Sequence, residues 1–191
     1  MRVIQRVLGI ALLLCSTSST ALTVGVTPPK VDVSNKGLMA LQGSEIEYQD
    51  WSSQQLTGKA RVVVHIAAKK SANEINQDAI QALTQANLPI TYFQTTTIVN
   101  ASDRVWGTQK FIRNLLEERT AAEPNAQFVL DNKGRVRTGW GLKKGDSAIF
   151  VFDGNGSLLW YKEGRLDILD IEAMMQKINN EIARLSAGNA D

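Results

Sequence analysis

The stretch Arg61-Val-Val-Val-His-Ile-Ala-Ala68 constrains this chain more than any other. It is nearly continuous, apolar and rich in β-branched residues, the composition of a strand buried on both faces. Such a strand belongs inside a sheet with cover above and below, which restricts the fold to layered α/β arrangements.

The following residues fit that frame. Ser71 and Glu74 stand in the S-x-x-E relation of a capping box and predict a helix start there. Ile75, Ala79, Ala82, Leu83 and Ala86 form its apolar stripe, and Asn87-Leu88-Pro89 ends it. Tyr92 to Val99 reads as a second strand, and Asp103 to Glu118 becomes helical in its later part through Phe111, Ile112, Leu115 and Leu116. Two strand–turn–strand patterns follow. Gln127–Asp131 and Arg135–Trp140 flank Asn132-Lys133-Gly134, and Ala148–Asp153 and Ser157–Tyr161 flank Gly154-Asn155-Gly156. A last helix, Ile168 to Leu185, starts from Asp167 as cap and turns Ile171, Met174, Met175, Ile178, Ile182 and Leu185 inward, leaving 186–191 as a short flexible tail. Before the central strand, Pro28-Pro29 and the apolar positions Val31, Val33, Leu38, Leu41 and Ile46 read as edge strands or loops. The sum is a three-layer α/β fold, a mixed central sheet with helices on both faces.

The amino terminus predicts export. Arg2 and Arg6 precede the nine-residue apolar run Val7–Cys15, and Ser19 and Ala21 place small residues for cleavage before Leu22. A membrane span needs about 20 apolar residues, so the run reads as a leader over residues 1–21 rather than an anchor. Without it the chain is one domain of ordinary size, 22–185 plus the tail. Of the 21 Lys and Arg, Arg2 and Arg6 leave with the leader, so 19 basic side chains face 19 acidic ones. A chain near neutrality has no electrostatic footprint for nucleic acid. No membrane partner is expected after cleavage, because no later stretch is long and apolar enough to anchor the chain.

Cysteine and histidine counts exclude more. The one cysteine, Cys15, lies in the leader, and His65 is the one histidine. A dithiol, a Cys–His pair and a Cys/His metal site are thereby ruled out for the exported chain. His65 reads as a buried, hydrogen-bonded strand residue. The turns Asp131-Asn132-Lys133-Gly134 and Asp153-Gly154-Asn155-Gly156 hold too few acidic oxygens for calcium and read as turn chemistry. No metal or other cofactor is expected.

These residues also carry a resemblance. Leu56-x-Gly58-Lys59 leading into Arg61–Ala68, then Phe128–Val136 with Gly139-Trp140-Gly141-Leu142, then Ala148–Gly156 with Tyr161-x-x-Gly164, resemble the TlpA/peroxiredoxin-type branch of thioredoxin-like proteins. Trp51-Ser52-Ser53, His65-Ile66-Ala67, Gln94-Thr-Thr-Thr-Ile-Val-Asn100 and Ser147-Ala148 make the chain similar to the YtfJ family of bacterial periplasmic proteins. The resemblance implies a thioredoxin-like fold, a periplasmic location and no established reaction. Redox-active relatives hold Cys-x-x-Cys in the turn after the first core strand and a cis-proline facing it. Here Ser71 and Glu74 take the cysteine positions and Asp146-Ser147 the proline position.

Two functions of different class follow. The first is a non-redox binding or adaptor module that reuses the vacated redox groove, with Lys70, Ser71, Asn73, Glu74, Asp146, Ser147 and Trp51 as its candidate binding residues and no catalytic residue. A periplasmic protein, a peptide or a small anion is its expected partner. Trp51 and Trp106 are the candidates for an exposed recognition patch. The alternative is an enzyme with non-thiol chemistry built on His65 or carboxylates. A transcriptional regulator, a label some family members carry, ranks last, since export and neutrality both oppose it. Oligomeric state is not set by the sequence.

Overall fold

In the computed structural model, residues 22–188 are described, and the leader at 1–21 lies outside them. The elements in order are β1 (Asp32–Gln42), β2 (Glu45–Ser52), β3 (Ala60–Ala67), α1 (Lys70–Glu74), α2 (Gln77–Gln85), β4 (Phe93–Asn100), α3 (Gln109–Ala122), β5 (Gln127–Asp131), α4 (Arg135–Gly139), β6 (Ser147–Phe152), β7 (Leu158–Glu163) and α5 (Ile168–Ala187). They build a seven-stranded sheet in the order β2-β1-β5-β4-β3-β6-β7.

All eight residues of β3 are buried, as its composition requires. It pairs in parallel with β4 and antiparallel with β6, and β4 pairs in parallel with β5. The steps from β3 to β4 to β5 run in one direction across the sheet. Right-handed crossovers therefore put α1, α2 and α3 on one face. There Val62, Val64 and Ile66 pack with Ala79 and Leu83 of α2 and Met174 and Ile178 of α5, and Phe128 and Leu130 pack with Leu116 of α3. On the other face Val63, Ile98, Val129 and Phe150 pack against Trp51, Val136 of α4 and Trp140.

The Ala148–Tyr161 hairpin forms as β6 and β7. The Asp167 cap also forms, with its carboxylate accepting the Asp170 N–H and the Asp170 carboxylate accepting the Asp167 N–H, both at 2.9 Å. Three expectations are corrected. Arg135–Trp140 does not return as a strand after Asn132-Lys133-Gly134. It turns into α4, because Gly134 takes a left-handed conformation (φ 64°) and the buried Asp131 carboxylate accepts the N–H groups of Lys133 and Val136. The helix after β3 is two helices, broken at Asn76. Ser71 caps nothing: the cap position of α1 is Lys69, which makes no side-chain capping bond. The N-terminal pieces form a long β1–β2 hairpin, with β2 at the sheet edge and β1 inside.

Candidate functional site

The turn where redox-active thioredoxin-like proteins would hold two thiols is α1, and its candidate residues lie open to solvent. Lys70, Ser71, Asn73 and Glu74 are exposed, and Lys70 and Glu74 form a loose ion pair at 3.7 Å. An exposed pair of this kind adds little stability. Asp146 and Ser147 stand beside them but are occupied internally. The Asp146 carbonyl accepts the Ala67 N–H at 3.1 Å, the Ser147 carbonyl accepts the Gly164 N–H at 2.8 Å, and the Ser147 N–H donates to the Asp146 carboxylate at 2.8 Å. The backbone at the proline position is thus spent within the fold. No peptide bond among the described residues is cis.

Trp51 is corrected outright. It is 1 % exposed, lies on β2 four strands away from β3 in the sheet order, and belongs to the core rather than to a recognition patch. Trp106 is the reverse, at 96 % exposed.

Asn76, which sequence reasoning passed over, fastens this end of the molecule. Its amide donates to the Gly164 carbonyl at 2.9 Å and to the Ser147 hydroxyl at 3.4 Å, and its carbonyl accepts the Leu166 N–H at 2.9 Å. The break between α1 and α2 lets that side chain reach inward. At helical spacing Asn76 falls in line with the buried Ala72, Ala79 and Leu83, and a polar residue in that stripe is the one sequence signal for such a role.

A second polar cluster lies at the carboxyl ends of the three parallel strands, on the face opposite α2 and α3. His65 of β3, Asn100 of β4 and Asp131 of β5 are buried there, and Asp103 joins them from the 3-10 turn Ala101–Asp103. Asn100 donates to Asp103 at 3.0 Å and accepts from the Ser102 N–H and hydroxyl, while Asp103 also takes the Gly145 N–H at 2.9 Å. His65 is buried as expected, but its Nε2 has no protein hydrogen-bond partner. Burial pushes its pKa down to about 4, and the nearby Asp131 and Asp103 only partly oppose this. The carboxylates are committed to backbone and amide donors, and the ring is neutral at neutral pH. No group of three or more His, Asp or Glu among the described residues is placed to hold a metal ion.

On the helical face a groove of about 940 Å³ runs between α2 and α3. Val64, Ile66, Thr95 and Thr97 floor it, and Asn73 and Gln81 stand on the α1–α2 wall. Its charged residues, Arg119 and Glu123, neutralise each other at 3.0 Å. The lining is otherwise apolar or made of amides and hydroxyls. Of the residues expected from sequence, only Asn73 reaches this groove.

A family described as bacterial protein of unknown function (YtfJ_HI0045) matches residues 22–181. The chain belongs to the YtfJ family. It is 39 % identical over 151 residues to an uncharacterized protein of Haemophilus influenzae, covering 79 % of this chain and 82 % of that one. It is 34 % identical over 174 residues to the uncharacterized protein YtfJ of Escherichia coli, covering 90 % and 95 %. Among solved structures it resembles a thioredoxin-like superfamily protein, with a TM-score of 0.60, 13 % identity and coverage of 82 % and 96 %. It also resembles a thiol-disulfide isomerase from Corynebacterium glutamicum, with a TM-score of 0.52, 14 % identity and coverage of 75 % and 96 %. The fold is therefore thioredoxin-like, and with one cysteine in the chain an internal redox pair is impossible.

In this YtfJ-family chain the string Gln94–Asn100 serves both faces of β4. Thr95 and Thr97 floor the groove. On the other face Thr96 donates to Gln127 at 3.0 Å, Gln94 and Gln127 receive the buried Arg61 guanidinium, and Asn100 organises the Asp103 turn.

Proposed function

We propose that the protein is an exported, non-redox binding module that holds its ligand in the groove between α2 and α3. The observation that carries this reading is the groove itself: about 940 Å³, with an apolar and threonine floor, amide-bearing walls and its charges paired internally. Sites of that size and mixed lining accommodate small or extended ligands with a few oriented hydrogen bonds. Paired charges favour a neutral ligand over an anion. A peptide segment or another amide- or hydroxyl-bearing molecule meets that description. The exposed rim of α1, Lys70 to Glu74, borders the groove through Asn73. Export rests on the leader pattern, and no described helix is long and apolar enough to cross a membrane.

A photoreactive residue in place of Gln81, on the groove wall, tests this in intact cells, with Glu172 on the exposed side of α5 as reference. An adduct at position 81 that is absent at 172, and that disappears with Asn73→Ala, is the expected result. Equal labelling at both positions, or none at 81, sinks the proposal.

The second reading, an enzyme with non-thiol chemistry, draws on the unpartnered Nε2 of His65 beside Asp103 and Asp131. Gly134 packs closely on the side chains beside this cluster: a Cβ there would lie 2.5 Å from the Ser102 hydroxyl oxygen and 3.1 Å from the Asn100 side-chain oxygen. His65, Asp103 and Asp131 are all buried, whereas the groove between α2 and α3 is open, so binding remains the preferred reading.

A further inference from the structure

The turn between β4 and α3 ends in an apolar tip that the fold leaves uncovered. Val105 is 58 % exposed, Trp106 96 % and Phe111, in the first turn of α3, 70 %. Leu115, one helical turn further, is 43 % exposed. A soluble domain rarely presents a tryptophan almost wholly to water, and neighbouring exposed apolar side chains mark an interaction surface.

The exposed charge around the tip leans positive. The turn that carries it, Ala101–Arg104, is held against two other loops. Gly145 donates its N–H to Asp103, and Gly134 packs on Ser102. Lys69 reaches over Gly145, since a Cβ there would lie 2.9 Å from its Nζ. These loops bring Lys69, Arg104, Lys133, Lys143 and Lys144 to the end of the molecule that bears the tip. Of the carboxylates at this end, Asp103 and Asp131 are buried, Glu74 pairs with Lys70, and the half-exposed Asp146 and Glu163 accept the Ser147 and Lys143 N–H groups while keeping their charge. Among the exposed side chains at this end the cations therefore outnumber the carboxylates, with Arg104 held against the Ala101 carbonyl at 2.7 Å.

We infer that this end of the protein docks on an anionic membrane surface, with Trp106, Val105 and Phe111 entering the headgroup region and the lysines and Arg104 facing lipid phosphates. An aromatic projection ringed by basic side chains suits the lipid–water interface, where tryptophan is favoured and basic residues gain from surface potential. A protruding wedge needs no matching cavity in a bilayer, whereas a protein partner must supply one. The sequence-based expectation of no membrane contact considered spanning segments alone, and this contact is peripheral. It is independent of the groove between α2 and α3.

The test is co-sedimentation of the purified protein with vesicles of phosphatidylcholine containing phosphatidylglycerol, against vesicles of phosphatidylcholine alone, with tryptophan emission recorded in parallel. Trp51 and Trp140 are already buried and Trp160 is half-buried on β7, so the part of any blue shift that is lost in Trp106→Ala reports on Trp106. Binding to the anionic vesicles is expected with that blue shift, and Trp106→Ala should weaken it about tenfold. Trp106→Phe should recover most of the affinity, and raising the salt severalfold should weaken binding by about tenfold or more. Trp106 touches little of the fold, so an unchanged melting temperature will certify the variant. Failure to sediment with anionic vesicles overturns the inference and points to an acidic protein surface instead. Binding that is indifferent to Trp106→Ala, or equal on both vesicle types, overturns it as well.

Discussion

One carboxylate oxygen of Asp131 accepts the Val136 N–H at 2.9 Å and the other accepts the Lys133 N–H at 3.2 Å. The residue is fully buried at the carboxyl end of β5, so α4 begins from a side chain that water cannot replace. Asp131→Ala removes a capping acceptor and strands buried donors. It should cost about 3 kcal/mol in urea unfolding. Asp131→Asn, which keeps one acceptor, should recover about half of that loss. A loss below about 0.5 kcal/mol for the alanine variant would show that α4 does not depend on this cap.

His65 supplies a pH dependence with a definite sign. Its folded pKa is pushed down to about 4 from an ordinary 6.5, mainly by burial, with Asp131 and Asp103 opposing and Arg137 assisting. The unfolded chain therefore binds the extra proton first. Stability is complete above pH 6.5 and falls as the pH drops from there toward 4, by about 3 kcal/mol at the low end. His65→Asn should lack that contribution, so the difference in stability between the two proteins, measured by urea midpoints across the interval, should itself carry the slope. Carboxylates that titrate in the same range are common to both chains and cancel. Identical slopes in the two proteins would mean that the ring is already protonated in the fold.

These two side chains also show what the sequence can convey. The apolar run that contains His65 announced a buried central strand, and β3 is buried at every position. The terminal hairpin and the Asp167 cap were equally legible, because turn glycines and capping residues act over a few residues. Asp131 reads as turn chemistry, and it does accept the Lys133 N–H, yet whether its turn returns a strand or starts a helix depends on Gly134 packing against Ser102. That contact joins loops distant in sequence and leaves no local pattern. The fate of the tryptophans was illegible for a related reason. Trp51 sits between Asp50 and Ser52 and Trp106 between Val105 and Gly107, and only the pairing of β2 with β1 brings the first into the core. The groove followed from the separation of α2 and α3, which no motif encodes.

Asn76 joins three segments with one side chain. Its hydrogen bonds reach Gly164, Ser147 and Leu166, and it is 4 % exposed. Asn76→Ala should lower stability by about 2–3 kcal/mol, since the Leu166 N–H and the Gly164 carbonyl lose their partner in a buried setting. The local consequence is sharper than the global one. Hydrogen exchange at the Leu166 amide should accelerate well beyond what the change in global stability explains. Exchange that tracks global stability alone would mean that the amide finds another acceptor and that Asn76 is a convenience of packing.

Among the described residues, Gly37 offers the strictest steric test. It lies in the irregular part of β1 between Val33 and Leu38, at φ 37°, and it pairs with Leu130 of β5. A Cβ there would stand 2.3 Å from the Gln49 carbonyl oxygen and 2.6 Å from that of Val33. Both obstacles are backbone atoms of a paired hairpin, so neither can swing aside as a flexible side chain would. Left-handed strain adds to the overlap. Gly37→Ala should therefore destabilise the protein by more than about 3 kcal/mol, read as a lowered urea midpoint. Gly43, at the tip of the same hairpin, has a positive φ but nothing within 4 Å of a Cβ. Gly43→Ala should cost only about 1 kcal/mol, the strain without the clash. If the two variants lose equal stability, conformational strain rather than the close approach of β2 holds position 37 as glycine.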